Sequence, residues 1–358
     1  MTPPAYPVNV NSPTQGPKPP KSLISAFNLI GDLDTAAGLA DVSGDSAQAS
    51  TYRDLAAAYR QDFHAAFWDE SIKAYGAGGG NKDGLQVSTT VALARKGIAP
   101  SASIEQEAFD SILNDIVHTH DMHHQIGITG NKFMWQLLTD MGRSDIAVTL
   151  LQQRDYPSFG FMIEGGKDGY EPATTMWELW TAPLSGPGMN SRAHHMFSSV
   201  EMTFYNYIAG IQQSPGSVGF AVTQFRPRIT RDARIGGATS TIPTMRGPAS
   251  ITWSNGTTQA AMAASGVPVH SKVPQVASGQ YIVKVDLPKG GGTNGEVSIL
   301  CSSVSSCSAA AISCNGHTVW SAGKFVAGAA GVNSATVVGD EVVFQVGPGG
   351  SFSFQSQA

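Results

Sequence analysis

Charge and cysteine are both scarce in this sequence. Asp, Glu, Lys and Arg make up only 14% of its 358 residues, and the net charge is −5. Lys and Arg are scattered and form no basic stripe, so nucleic acid is excluded as a partner and an uncharged ligand suits the surface. No run reaches the roughly eighteen apolar residues a membrane-spanning helix requires, so no membrane partner is expected. The cysteines are Cys301, Cys307 and Cys314, an odd count that leaves at least one thiol unpaired. One local disulfide and three free thiols both stay open. A metal site completed by His317 has less support, because no fourth ligand stands at the right spacing. Also missing are a G-x-S-x-G elbow, a P-loop, a dinucleotide fingerprint and an H-E-x-x-H helix. Their absence removes the common hydrolase, kinase and dehydrogenase readings, and nothing calls for a cofactor.

What is present is a chain long enough for two domains. Its 41% hydrophobic residues can build a core, while 40 glycines and 20 prolines indicate many turns. Residues 1–22 lack the apolar run of a signal peptide and read as a Pro-rich linker of a longer chain. No compartment is assigned, though a secreted setting fits such a fragment.

From 23 to 214 the pattern is helical. Leu55, Tyr59, Phe63 and Phe67 recur every four residues, as do Ile104, Ala108, Ile112 and Ile116. Phe133, Leu137 and Met141 mark a helix ending near Gly142. Phe197, Val200, Phe204, Tyr207, Ile208 and Ile211 form the strongest stripe, expected to run to about Gln212 with Pro215 beyond. Six or seven helices are expected. Residues 154–190 stand apart as a long Pro-, Gly- and aromatic-rich loop, and such loops are usually functional. From 215 to 358 apolar and polar residues alternate between Gly, Asn and Ser punctuation, predicting an all-β sandwich. Gln280–Val285 and Glu341–Val346 are plain strands, and Asn255-Gly256 is expected to close a hairpin after Ser250–Trp253. Asn255-Gly256-Thr257 also matches a glycosylation acceptor, a weaker reading.

Three clusters could carry chemistry. In Thr174-Thr175-Met176-Trp177-Glu178-Leu179-Trp180 a carboxylate sits between two indoles. Indole faces stack on sugar C–H groups, and a carboxyl can activate water or protonate a leaving oxygen. Gly188-Met189-Asn190-Ser191-Arg192-Ala193-His194-His195 follows, with Asn190 or Ser191 suited to cap the next helix and the two histidines expected on different faces. His118, His120, His123 and His124, with Asp121, have no standard metal spacing and read as loop histidines.

Ala173–Trp180 resembles the A-T-T-x-W-E-x-W motif of the α-L-rhamnosidase family, and Gly188–His194 its G-M-N-S-x-N-H. Upstream, Gly142–Ala147 and Asp155–Met162 are similar to its G-R-x-D-x-A and D-Y-P-S-x-G-x-M motifs, and Trp320–Phe354 resembles its terminal β-domain. The order agrees over about residues 22–356. The resemblance implies an α+β multidomain chain: the last six or seven helices of an (α/α)6 barrel, then a β-sandwich. It implies hydrolysis of terminal α-L-rhamnosides with inversion, with Glu178 as general base. His194, Trp177, Trp180 and Asn190 would bind or shape the site for a rhamnose-containing glycoside or polysaccharide. The family's general acid, an upstream Glu, has no counterpart here. Ala193 replaces the usual Asn, and residues 167–172 look inserted. Glu164 and Glu171 are the only nearby substitutes, and the missing N-terminal half of the same enzyme is the implied partner. Helices lacking their usual neighbours would leave apolar faces exposed.

Overall fold

The computed structural model describes residues 18–164, 172–180, 191–229, 232–290, 292–301 and 307–357. The chain divides into two units, Met1–Val200 and Glu201–Ala358.

The first unit is helical. Helix α1 (Lys21–Ser43) ends at Gly44, which takes the left-handed conformation, and α2 (Ser46–Phe67) starts where the Asp45 carboxylate accepts from the Gln48 N–H at 3.0 Å. The expected α2 face is divided: Phe63 is 1% exposed, but Leu55 and Tyr59 are 43% and 41% exposed. A two-rung antiparallel ladder, β1 (Trp68–Asp69) with β2 (Ala74–Tyr75), leads to α3 (Leu85–Leu93). All nine residues of α3 are buried, including Gln86, Ser88, Thr89 and Thr90. Helix α4 (Ala102–Asn114) is capped by Ser101, whose hydroxyl accepts from the Ile104 N–H, and continues as a π-helical turn, Asp115–Thr119.

Helix α5 (Ile128–Asp140) buries Asn131, Met134, Trp135 and Leu138, a deeper stripe than the Phe133, Leu137 and Met141 edge legible in the sequence. Then come α6 (Ser144–Gln152), α7 (Phe159–Glu164) and α8 (His195–Ser198). The expected loop over 154–190 thus contains a helix, begun where the Ser158 hydroxyl accepts from the Phe161 N–H at 2.9 Å. Its aromatics Phe159, Phe161, Trp177 and Trp180 are buried.

The long helix expected over 197–212 is replaced by short pieces. α8 stops at Ser198, α9 spans Glu201–Thr203, a π-helical segment covers Phe204–Ala209, and Gly210 turns left-handed into strand β3 (Ile211–Gln213). Val200 is buried in the helical core and Ile211 in the core of the second unit, so one stripe serves two cores. A Cβ at Gly210 would lie 2.1 Å from the Pro227 nitrogen, so glycine is required both for φ and for that approach.

The second unit is β-rich. One sheet has the order β3, β4 (Val222–Phe225), β8 (Asn294–Leu300), β13 (Glu341–Val346), β12 (Val332–Val338), antiparallel except for the parallel pair β4–β8. The other runs β5 (Gly237–Thr244), β6 (Gly247–Asn255), β7 (Gln280–Leu287), β14 (Gly350–Gln357), β9 (Ile312–Cys314), β10 (His317–Ser321), β11 (Lys324–Phe325). Side chains from both sheets share one buried cluster around Phe225, Trp253, Val283, Phe344 and Phe354.

Asn255-Gly256 does not close a hairpin. The hairpin lies one strand earlier, where β5 and β6 pair up to Thr244 and Gly247. Asn255 instead caps α10 (Gly256–Ala264), its side-chain oxygen accepting from the Thr257 and Thr258 N–H groups at 3.0 and 3.2 Å. An Asn-Gly pair serves either role, and the helix-forming run Gln259–Ala264 decides between them. Cys301 and Cys307 form a disulfide, while Cys314 is free and buried, its thiol pushed up to about 11 by that burial.

Candidate active site

Two segments of the helical unit lie side by side. The Glu178 N–H donates to Ser191 O at 2.8 Å and the His194 N–H donates to Met176 O at 2.7 Å, an antiparallel clip between 176–178 and 191–194. The Thr175 hydroxyl donates to Arg192 O at its edge. Side chains alternate across an extended segment, so Trp177 turns into the core while Glu178 is half-buried beside it. The Ser191 N–H donates back to the Glu178 carboxylate, at 2.8 Å to Oε2. A charge-assisted bond of this kind orients a carboxylate.

The clip also fixes His194. Contrary to expectation, neither Asn190 nor Ser191 caps α8: the N-cap is His194, and the Ser191 hydroxyl accepts from the Ala193 N–H at 3.1 Å. The His194 and His195 rings do not diverge either. They stack, with centroids 5.6 Å apart and planes 16° apart, because the extended backbone at His194 turns its ring alongside the first helical residue. Asn190, Glu171 and most of the inserted 167–172 stretch lie outside the described residues.

Behind the clip, Trp180 is packed on three rings, with centroids 4.2 Å from Phe197, 4.8 Å from His124 and 5.1 Å from Phe159. Its indole N–H donates to Ile126 O at 2.8 Å. Trp177 and Trp180 are thus both packed into the helical core, 3% exposed each. Glu164 pairs with Arg154 at 2.7 Å.

The histidine cluster separates into distinct roles. His120 Nδ1 lies 2.9 Å from Asp115 Oδ2; burial pulls its pKa down, but this carboxylate outweighs burial and holds it above the ordinary value. His123 joins Asp155 Oδ1 at 3.0 Å through Nε2 and Asp121 O at 2.7 Å through Nδ1, connecting its segment to the D-Y-P-S motif. His124 is 1% exposed, neither ring nitrogen has a hydrogen-bond partner among the described residues, and burial pushes its pKa down to about 3. Among the described residues no group of three or more His, Cys, Asp or Glu is placed to hold a metal ion. Gln86 and Asp115, which the sequence did not single out, form a buried polar link to the 123–126 segment. The only signal for Gln86 was an amide in a helix of small and apolar residues.

The helical unit thus carries an oriented carboxylate on an aromatic-backed clip and is followed by a β-rich unit, the order found in six-hairpin glycosidases of the matching family. The chain belongs to the bacterial α-L-rhamnosidase six-hairpin glycosidase family, whose model matches residues 8–208. It is 32% identical over 239 residues to an α-L-rhamnosidase of Streptomyces avermitilis, covering 65% of this chain and 21% of that protein. It is 26% identical over 226 residues to one from Alteromonas sp., covering 62% and 22%. Among solved structures, the α-L-rhamnosidase of Dictyoglumus thermophilum superposes with a TM-score of 0.75 at 25% identity, covering 96% of this chain and 33% of that one. The Streptomyces avermitilis α-L-rhamnosidase complexed with L-rhamnose superposes with a TM-score of 0.70 at 26% identity, covering 94% and 27%. The chain thus spans about a fifth to a third of the length of these relatives.

Proposed function

We propose that this chain carries the water-activating and sugar-holding part of an α-L-rhamnosidase. Residues 23–214 would supply the last helices of an (α/α)6 toroid and residues 215–358 a β-sandwich. The observation that carries the reading is the clip that orients the Glu178 carboxylate through the Ser191 N–H and joins the His194 backbone to Met176. Glu178 takes a proton from a water molecule, whose oxygen bonds to the anomeric carbon of a terminal α-L-rhamnosyl group. The glycosidic C–O bond breaks, and the aglycone oxygen takes a proton from an acid on the opposite side. One displacement inverts the anomeric centre and needs the two carboxyl groups about 6.5–9.5 Å apart. His194, with Asn190, hydrogen-bonds the sugar hydroxyls of a rhamnose-containing glycoside or polysaccharide.

The ion pair of Glu164 with Arg154 argues against Glu164 as that acid. With Glu171 outside the described residues, the reading we favour takes the acid from the remainder of a rhamnosidase, the partner of this chain. The same observation favours a second reading, in which the chain alone binds rhamnose without turning over a glycoside. The test is release of the aryl group from an aryl α-L-rhamnoside, with L-rhamnose binding measured in parallel. Turnover that Glu178→Gln abolishes while binding persists supports catalysis within this chain. Binding without turnover, restored to turnover when the remainder of a rhamnosidase is supplied, supports the divided site. Neither binding nor turnover by the folded protein would overturn both readings.

A further inference from the structure

Buried hydrogen bonds join the π-helical turn through Gln86 to the backbone at Gln125, and the adjacent Ile126 carbonyl bonds Trp180 in the loop bearing Glu178. The Gln86 side chain, in the first turn of α3 and fully buried, donates from Nε2 to Asp115 Oδ2 at 2.9 Å. Asp115 Oδ2 is also 2.9 Å from His120 Nδ1. On its other side, Gln86 Oε1 accepts from the Gln125 N–H at 2.6 Å. The next residue, Ile126, offers its carbonyl to the Trp180 indole at 2.8 Å, and the preceding residue, His124, packs its ring on that indole. Trp180 lies two residues beyond Glu178.

We propose that Gln86 is a positioning residue for Glu178, acting through the 124–126 segment and the Trp180 indole. This rests on the rhamnosidase reading of Glu178. The physical argument is one of satisfied valences. An extended segment between α4 and α5 gains little from backbone pairing, so its location depends on side chains that reach it. Gln86 provides the donor and acceptor needed to join a carboxylate to a backbone N–H, and no apolar residue of that shape does both. The indole bond to Ile126 O is made only if that carbonyl is held where Gln86 holds it. A shift of the segment moves Trp180, and with it the clip that aims the Glu178 carboxylate. Small displacements of a reacting group cost rate and affinity steeply.

The test uses the whole chain with Gln86→Met, close in shape but unable to make either bond, and Gln86→Glu, which regains the donor when protonated. The local readout is hydrogen exchange of the Trp180 indole N–H, with the buried Trp135 indole, bonded to Asn131 Oδ1 at 3.1 Å, as internal control. The functional readout is L-rhamnose affinity, and aryl rhamnoside turnover if the wild type has it. In Gln86→Met, Trp180 exchange should quicken by about tenfold or more while Trp135 stays protected, and rhamnose affinity should fall by about tenfold, the effect of one lost buried bond. Gln86→Glu keeps the acceptor for the Gln125 N–H but at pH 7 sets a carboxylate against Asp115, so Trp180 exchange should quicken there too, and it should recover toward wild type at pH 5, where the Glu side chain donates to Asp115; His120, paired with Asp115, is the other titrating group there. Unchanged Trp180 exchange in Gln86→Met overturns the proposal, as does quickened exchange with rhamnose affinity intact. A wild type that does not bind rhamnose refutes the rhamnosidase reading and with it the role toward Glu178, whatever the exchange reports of Gln86 and Trp180.

Discussion

At the residue scale, the least expected group is His124. A buried imidazole with no partner among the described residues forfeits hydration it could have had, typically about 1–3 kcal/mol for a polar group. Its pKa, about 3 when folded against 6.5 when exposed, makes this a pH dependence with a definite sign. Above 6.5 both states hold the ring neutral and there is no effect. Below 6.5 the unfolded chain takes up a proton that the folded chain refuses, so stability falls with pH until about 3. Between pH 7 and pH 5 the loss should be about 2 kcal/mol, at 1.36 kcal/mol per unit. The difference in urea-derived stability between wild type and His124→Phe should change by that amount between the two pH values. His120 acts in the opposite direction, since its raised pKa contributes stability below 6.5 that is lost as pH rises through the folded value. The difference between wild type and variant cancels that contribution.

Gly160 gives a second residue-scale prediction. A Cβ there would sit 2.3 Å from Gln153 O and 2.9 Å from the Arg154 Cα, both backbone atoms that cannot step aside. Gly160→Ala should therefore cost about 1–3 kcal/mol, the usual range for overpacking. A melting temperature unchanged from wild type would contradict it. The position belongs to the D-Y-P-S-x-G-x-M stretch, so its glycine has a steric reason independent of catalysis.

At the element scale, α2 shows how far periodicity carries. Its four-residue spacing is legible in Leu55, Tyr59, Phe63 and Phe67, but only the C-terminal half of that face is covered. Phe63→Ala should destabilise by about 3–5 kcal/mol, as for a fully buried aromatic. Tyr59→Ala should change stability by less, about 1 kcal/mol, because 41% of the side chain is already exposed. Similar losses for both in equilibrium denaturation would mean that the exposed half is covered in solution. The segments after α7 teach the complementary lesson. Three short helical pieces and a strand stand where a single stripe of apolar residues suggested one helix, because those residues answer to two cores and Gly210 turns the chain into β3.

For the whole molecule, the two units carry separate cores, and the disulfide lies in the β-rich one. The Cys301–Cys307 disulfide closes a short loop within the β-rich unit. Its reduction should cost that unit about 2 kcal/mol by the chain-entropy argument. Denaturation with and without reductant should shift the transition seen by Trp253 and Trp320 fluorescence and leave the helical circular dichroism transition in place. A shift of the helical transition by the same amount would show that the two units unfold together.

The sequence by itself determined the order of helical and β-rich parts, the position of Glu178 between two tryptophans, and the family to which those motifs belong. These follow from local periods, from turn chemistry and from short motifs whose residues are adjacent in the chain. Tertiary structure alone decided that 176–178 pairs with 191–194, that Trp180 bonds a carbonyl 54 residues earlier, and that Gln86 joins Asp115 to Gln125. It also decided which half of α2 meets water and that Asn255 starts a helix. The physical reason is common to all of them: a side chain's burial and bonding partners depend on what the rest of the chain brings to it. Neither the 3.6-residue nor the two-residue repeat records which distant segment that will be.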